Sequence, residues 1–253
     1  MATNSTIEWT ESTWNPVAGC TVVSPGCVNC YAMRLSRRLE AMGQSKYQGL
    51  TRLTRSRAVW NGRIRLDEES LSLPAKWKSG RMIFVNSMSD LFHESVPLEY
   101  IQRVFVTMRR TRQHTYQILT KRAARLEQLE DAIDWPANVW MGVSVESSDY
   151  RFRIDHLLRT GARIKFLSLE PLLGPLDRLE LNGIDWVIVG GESGPGSRPV
   201  DPDWVRSIRE QCVSSKVTFH FKQWGGPNKK KTGRLLDGRT WDQFPSTATA
   251  TTV

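Results

Sequence analysis

ARIKFLSLE (162–170) and DWVIVGGE (185–192) follow one rule. Each is a short, largely apolar run with β-branched and aromatic residues, and each ends with a small residue followed within two positions by an acid. Runs without polar alternation are expected of strands covered on both faces, as in parallel sheets. Working outward, the same form recurs at 81–86 (RMIFVN), 115–120 (TYQILT), 138–145 (NVWMGVSV) and 217–224 (VTFHFKQW). A further strand is expected at 15–20.

Between these runs the spacing becomes helical. Residues 31–42 carry Met33, Leu35, Leu39 and Met42 at helical spacing, and 98–110 start after Pro97. A helix at 121–131 turns Leu126 and Leu129 inward. One at 147–160 has Ser147 or Ser148 as its cap, and one at 201–214 has Asp201 as cap and Pro202 in its first turn. About seven strands alternating with about five helices imply βαβ units and a parallel sheet. A complete eight-fold barrel needs about 250 residues. Setting aside a basic insertion at about 44–80 and a tail at 229–253 leaves too few. An α/β fold of the open, partial (β/α)-barrel kind is expected over a single domain, 1–228, with a doubly wound sheet as the alternative. The end of the tail, TATATTV, is expected to be disordered.

Polar residues follow each apolar run: Asn86, Ser87 and Asp90; Thr120 and Lys121; Ser144 and Glu146; Ser168 and Glu170; Gly190, Gly191 and Glu192; Lys222 and Gln223. In parallel α/β folds the C-terminal strand ends form the active face, so these residues are expected to share one rim.

The stretch GCTVVSPGCVNCYA (19–32) belongs to the same rim, and it carries Cys20, Cys27 and Cys30. Tight thiol clusters in chains of this size are more often metal-binding or catalytic than disulfide-forming. Structural zinc wants four ligands. Cys212 and the four histidines, His93, His114, His156 and His220, do not stand at zinc spacing. A lone CxxC redox pair would leave Cys20 without a role. A cubane iron–sulfur cluster fits better: three irons take Cys20, Cys27 and Cys30, and the fourth stays open to a small molecule. Pro25 and Gly26 help the loop curl, while Gly19 and Gly26 are expected to let backbone approach the cluster.

With WNPVAGCTVVSPGCVNCYA (14–32), NSMSDLF (86–92), YQILTKR (116–122), GVSVES (142–147), FLSLEPLLG (166–174) and WVIVGGESG (186–194), the chain resembles the radical S-adenosylmethionine (SAM) superfamily. More closely it resembles a phage and bacterial family of radical-SAM-like proteins, distantly similar to spore photoproduct lyase. The superfamily's CxxxCxxC is here Cys-x6-Cys-x2-Cys, and Asn29 replaces the aromatic residue that usually precedes the third cysteine. The resemblance implies a (β/α)6-type partial TIM barrel, a [4Fe-4S] cluster on Cys20, Cys27 and Cys30, and SAM cleaved to a 5′-deoxyadenosyl radical. It implies SAM contacts from Ser87, Ser89 and Asp90 (amino group), Lys121 or Arg122 (carboxylate), Ser144 and Glu146 (ribose), and Glu170, Gly190 and Gly191. It also implies an electron donor such as flavodoxin or ferredoxin.

The chain's 35 basic and 26 acidic residues give a net charge of +9, which suits anionic partners. Between residues 41 and 66 stand Lys46, Arg52, Arg55, Arg57, Arg63 and Arg65 and no acid. This 46–65 stretch, the basic run at 109–112 and the lysines at 229–231 point to DNA or RNA, or to a nucleotide-level substrate, with Trp60 and Trp77 placed to stack on bases. The other class that fits is a non-enzymatic, zinc- or iron–sulfur-stabilised nucleic-acid-binding phage protein. No secretory leader and no run of about 18 apolar residues is present, so no membrane partner and a cytoplasmic location are expected.

Overall fold

The computed structural model describes residues 5–55 and 57–246. Its centre is a seven-stranded sheet, all parallel and curled into a half-barrel. The strands are β1 (Ser12–Trp14), β2 (Met82–Val85), β3 (Thr115–Thr120), β4 (Val139–Ser144), β5 (Ile164–Leu169), β6 (Trp186–Gly190) and β7 (Thr218–Gln223). Their spatial order is their sequence order. An order that never reverses has no topological switch point, which excludes the doubly wound alternative. The helices are α1 (Tyr31–Ala41), α2 (Leu98–Arg110), α3 (Ala123–Gln128), α4 (Phe152–Leu158) and α5 (Pro202–Ser214). Among the described residues no helix is long and apolar enough to cross a membrane.

Strand period decides which residue faces where. Ile83, Val85, Met141, Val143, Leu167, Leu169, Val187 and Val189 face outward. They form the main core with Ile101, Val104, Phe105 and Met108 of α2 and Val205, Ile208 and Cys212 of α5. Those α2 positions recur at helical spacing, and α2 starts after Pro97, as expected. The alternate residues Phe84, Trp140, Phe166, Trp186 and Ile188 face the inside of the curl, where Trp9 plugs the base. Its ring lies 4.6 Å from Phe84 and 6.3 Å from Trp186, and its carbonyl accepts from the buried Gln117 amide at 3.0 Å. The inner face is thus aromatic at the strand starts and polar at their ends.

Several boundaries differ from the sequence reading. The first strand is Ser12–Trp14 rather than 15–20. Pro16 has no N–H to continue a ladder, and the Asn15 side chain turns to accept from Ser87 Oγ and Met88 N–H, each at 3.1 Å. Val17–Ala18 then pairs antiparallel with Arg65–Leu66. Helix α1 buries Ala32, Met33 and Ser36, while Leu35 and Met42 are exposed. At 147–160 a tight turn, Ser148–Tyr150, precedes the shorter α4, and neither turn nor helix has a side-chain cap. The cap expected for α5 is present: Asp201 accepts from the Asp203 N–H at 2.9 Å.

The stretch from 229 is part of the fold up to 246. Lys229–Thr232 forms a short helix, Leu236 is fully buried, and Trp241 packs on Phe219. Phe221 donates its N–H to the Trp241 carbonyl at 2.9 Å, and Phe219 donates to Gln243 at 3.1 Å. This strap covers the free edge of β7, a position that otherwise templates aggregation. The expected disorder of the chain's end falls on 247–253, outside the described residues.

Trp186 is fully buried and touches Trp9, Trp140, Phe166, His220 and Phe244. Trp186→Ala is expected to cost about 3–5 kcal/mol of unfolding free energy, measured by urea denaturation followed by circular dichroism.

Candidate functional site

Two asparagines set the path of the cysteine loop. Asn15 takes the two bonds described above, and Asn86 Oδ1 accepts from the Val17 N–H at 3.1 Å. Together they fasten the chain between β1 and the loop to the segment that follows β2. Ser89 Oγ donates to the Val17 carbonyl at 2.8 Å, and the Tyr31 hydroxyl donates to the Ser87 carbonyl at 2.6 Å. Pro25–Cys27 forms a tight turn, as the sequence suggested. The expected role of the glycines is corrected. A Cβ on Gly19 would lie 2.2 Å from the Arg63 carbonyl and one on Gly26 2.9 Å from Glu146 Oε1, so both make room for protein atoms.

Cys20, Cys27 and Cys30 all line one cavity of about 260 Å³ at the C-terminal strand ends. The other walls come from Asn86, Ser87, Ser89 and Asp90 after β2, Thr120 and Lys121 at β3, Ser144 at β4 and Ser168 and Glu170 at β5. Gly191, Glu192, Lys222 and Gln223 complete it. The polar strand ends therefore do converge, with the three thiols among them.

The individual candidates divide. Lys121 lines the cavity, and its Nζ is buried, without a hydrogen-bond partner and 3.7 Å from Glu146. Ser144 and Ser168 lie side by side in register. Glu170 is paired with Lys222 at 3.2 Å. Asp90 is saturated: it accepts from Thr120 Oγ1 (2.7 Å), the Lys121 and Phe92 N–H groups (3.1 and 3.0 Å) and Arg122 (3.0 Å). Arg122 is spent in turn on Asp90 and Glu94, which leaves Lys121 as the cation that faces the cavity without a hydrogen bond. Two candidates are not in the wall. Gly190 is small because Glu170 Oε1 would lie 2.3 Å from its Cβ. Glu146 is fully buried beneath the cavity, where it pairs with Arg153 at 2.7 Å and accepts from the Ser24 hydroxyl. Its role is to hold the cysteine loop, not to face a ligand.

Sequence reading missed a second anchor of that loop. Glu192 accepts from Asn29 Nδ2 at 2.8 Å and from the Arg198 N–H and Nε, each at 2.9 Å. Arg198 also donates to the Pro25 carbonyl at 3.0 Å. Asn29 Nδ2 donates as well to the Gly196 carbonyl at 2.9 Å, so its amide is held by protein partners. Of the tryptophans singled out, Trp60 packs with Met33, Tyr47 and Leu50 and also lines the cavity, while Trp77 is half-buried beside His114 and Arg81.

The charges around the loop are compensated. Burial alone would raise the Glu146 pKa, but Lys121 and Arg153 outweigh it and hold the carboxyl below its ordinary range. Glu192 is likewise held low by Arg198 and Asn29 against its burial. The thiols go the other way. Burial, with Asp90 adding to it, pushes Cys20 up to about 12, and burial also raises Cys30. Protonated thiols are poor nucleophiles, which disfavours Cys20 and Cys30 as free catalytic cysteines. Among the described residues no three His, Cys, Asp or Glu side chains converge on one point as the ligands of a single ion would. Cys212 is buried in α5 in the outer core, away from the cavity.

The chain belongs to the family described as "Protein of unknown function (DUF5131)", whose model matches residues 4–245. No curated protein and no solved structure matches it.

Arg153→Met would leave Glu146 short of its closest counter-charge. The expected cost is about 3–5 kcal/mol at pH 7 by urea unfolding. Glu146 is depressed in the folded state, so its contribution is present above the ordinary glutamate value of about 4.3 and is lost as pH falls through the folded value. The gap between variant and wild type should therefore narrow in acid.

Proposed function

We propose that this protein is a radical SAM enzyme, with a [4Fe-4S] cluster on Cys20, Cys27 and Cys30 and SAM in the adjoining cavity. The observation that carries this reading is the meeting of three thiols with the polar ends of the parallel strands in one cavity. The donor set fits the group: three soft ligands suit an iron–sulfur cluster, which spreads them over several irons. Zinc would gather its ligands within about 4 Å of one another, and no such gathering exists among the described residues. The partial barrel is of the kind this chemistry uses.

Cys20, Cys27 and Cys30 would hold the cluster, which would supply the electron transfer that cleaves SAM for hydrogen abstraction from a substrate. The chain's own part is to bind and position. Arg122, whose Nη1 lies 3.8 Å from Cys20 Sγ, favours the thiolate that a cluster needs. Lys121 Nζ, buried and without a hydrogen bond, is the partner for the SAM carboxylate. Ser144, Ser168 and the backbone at Gly191 supply hydrogen-bonding groups for the nucleoside. Ser87 and Ser89 are wall residues whose hydroxyl protons go to Asn15 and Val17, so their oxygens remain as acceptors for the SAM amino group. Ser24 and Arg198, through Glu146 and Glu192, fix the loop so that the thiols do not drift. A low-potential donor of the flavodoxin or ferredoxin class supplies the electron, and a reducing cytoplasm keeps the thiols free to bind iron.

Protein purified and reconstituted without oxygen is expected to carry about four irons and four sulfides per chain. After reduction it should release 5′-deoxyadenosine from SAM. Cys20→Ala, Cys27→Ala and Cys30→Ala should each abolish both, whereas Cys212→Ala should keep both. A colourless protein holding one zinc, or a cluster that needs Cys212, would refute the assignment.

A further inference from the structure

A second cavity, about 430 Å³, backs onto the first across the cysteine loop, sharing Asn29 and Cys30 with it. Its charged lining is two arginines, Arg34 of α1 and Arg57 of the strand Arg57–Trp60, with no carboxylate. The apolar remainder includes Val28, Met33, Ala58 and Pro195. Arg57 donates to Asn29 Oδ1. Arg34 takes no hydrogen bond or ion pair among the described residues. Its guanidinium packs against Gly194, where a Cβ would fall 2.2 Å from Nη2. It is therefore positioned by packing while its donors remain unspent. Two guanidinium groups facing one space without a counter-charge repel each other until an anion enters. Guanidinium is the group best shaped for phosphate.

The charge continues beyond the cavity. The Thr51–Thr54 strand pairs antiparallel with Arg57–Trp60, Thr54 opposite Arg57 and Arg52 opposite Val59. Strand alternation puts Arg52 on the face that carries Arg57. The whole 41–66 stretch lacks an acid. A small phosphorylated metabolite would use Arg34 and Arg57 alone, whereas a row of cations suits a row of phosphates. We propose that this cavity is a phosphate subsite for a nucleic-acid strand: Arg34 and Arg57 take one phosphodiester beside the cysteine loop, and Arg52 takes a neighbouring one. This names the substrate class of the enzyme proposed above and rests on that reading for what is done to the strand.

The test is fluorescence anisotropy with a short labelled single strand, DNA or RNA, titrated with the full-length protein over a range of salt. Wild-type affinity should fall steeply as salt rises. Arg34→Gln and Arg57→Gln should each weaken binding roughly fivefold and lower the slope of log K against log salt by about one. Arg163→Gln, which removes the same charge from an exposed residue just before β5, at the opposite end of the sheet, should change little. Because Arg57 also holds Asn29, Arg34→Gln decides the matter. Equal losses in Arg34→Gln and Arg163→Gln, no salt-dependent binding, or a nucleoside monophosphate that binds as tightly as the strand would each overturn the subsite. Iron content and 5′-deoxyadenosine release are recorded on the same preparations. SAM cleavage without Arg34-dependent strand binding overturns the subsite alone. Arg34-dependent binding by protein that takes up no cluster overturns the enzyme and leaves the subsite standing.

Discussion

A strand covered on both faces has one place for polar groups, and that is its end. The rest of this molecule depends on that constraint. Helices α2 and α5 cover the outer face of the sheet, and Trp9 with Phe84, Trp140, Phe166 and Trp186 fills the base of the inner face. What remains open on the inside is the C-terminal end of the sheet. Lys121, Ser144, Ser168, Glu170 and Lys222 can be there because each has, or can receive, a polar partner.

The cysteine loop lies over this opening and is held almost wholly by polar contacts. Its apolar residues Val22, Val23 and Val28 are exposed, so hydrophobic burial does little to order it. Asn15 and Asn86 fix where it begins, and Glu146 and Glu192 grip its middle through Ser24, Asn29 and Arg198. Charge-assisted bonds of this sort are stronger than neutral ones and strongly directional. They suit a loop whose job is to present three side chains at set places rather than to contribute to the core.

The sheet was legible because its apolar runs are long and free of breakers. Six of the seven strands lie where those runs lie, and the polar residues after them meet in one cavity. The first strand was not legible, because three residues, Ser12–Trp14, carry too little pattern and Pro16 interrupts the run that looked like a strand. Trp9 as a plug, and Trp60 as part of a small core beside the cavity, depend on contacts distant in sequence. Glu146 looked like Glu170, an acid just past a strand. What separates them is Arg153, one turn into the next helix, which draws Glu146 under the floor of the cavity. An arginine at 153 is a signal the sequence did contain. The packing of 229–246 was hidden by its lysines, although Leu236 and Trp241 within it mark a buried segment.

The contacts of Trp186 have a consequence for how the molecule comes to exist. Its ring meets Trp9, near one end of the described chain, and Phe244, near the other. Domains tend to fold in the order in which they are synthesised. Here the base of the half-barrel stays unsealed until residue 244 has cleared the ribosome, however early β1 to β5 have paired. Residues 9 and 244 meet at one indole, and the thiol-bearing mouth stands on a base that both must be present to close.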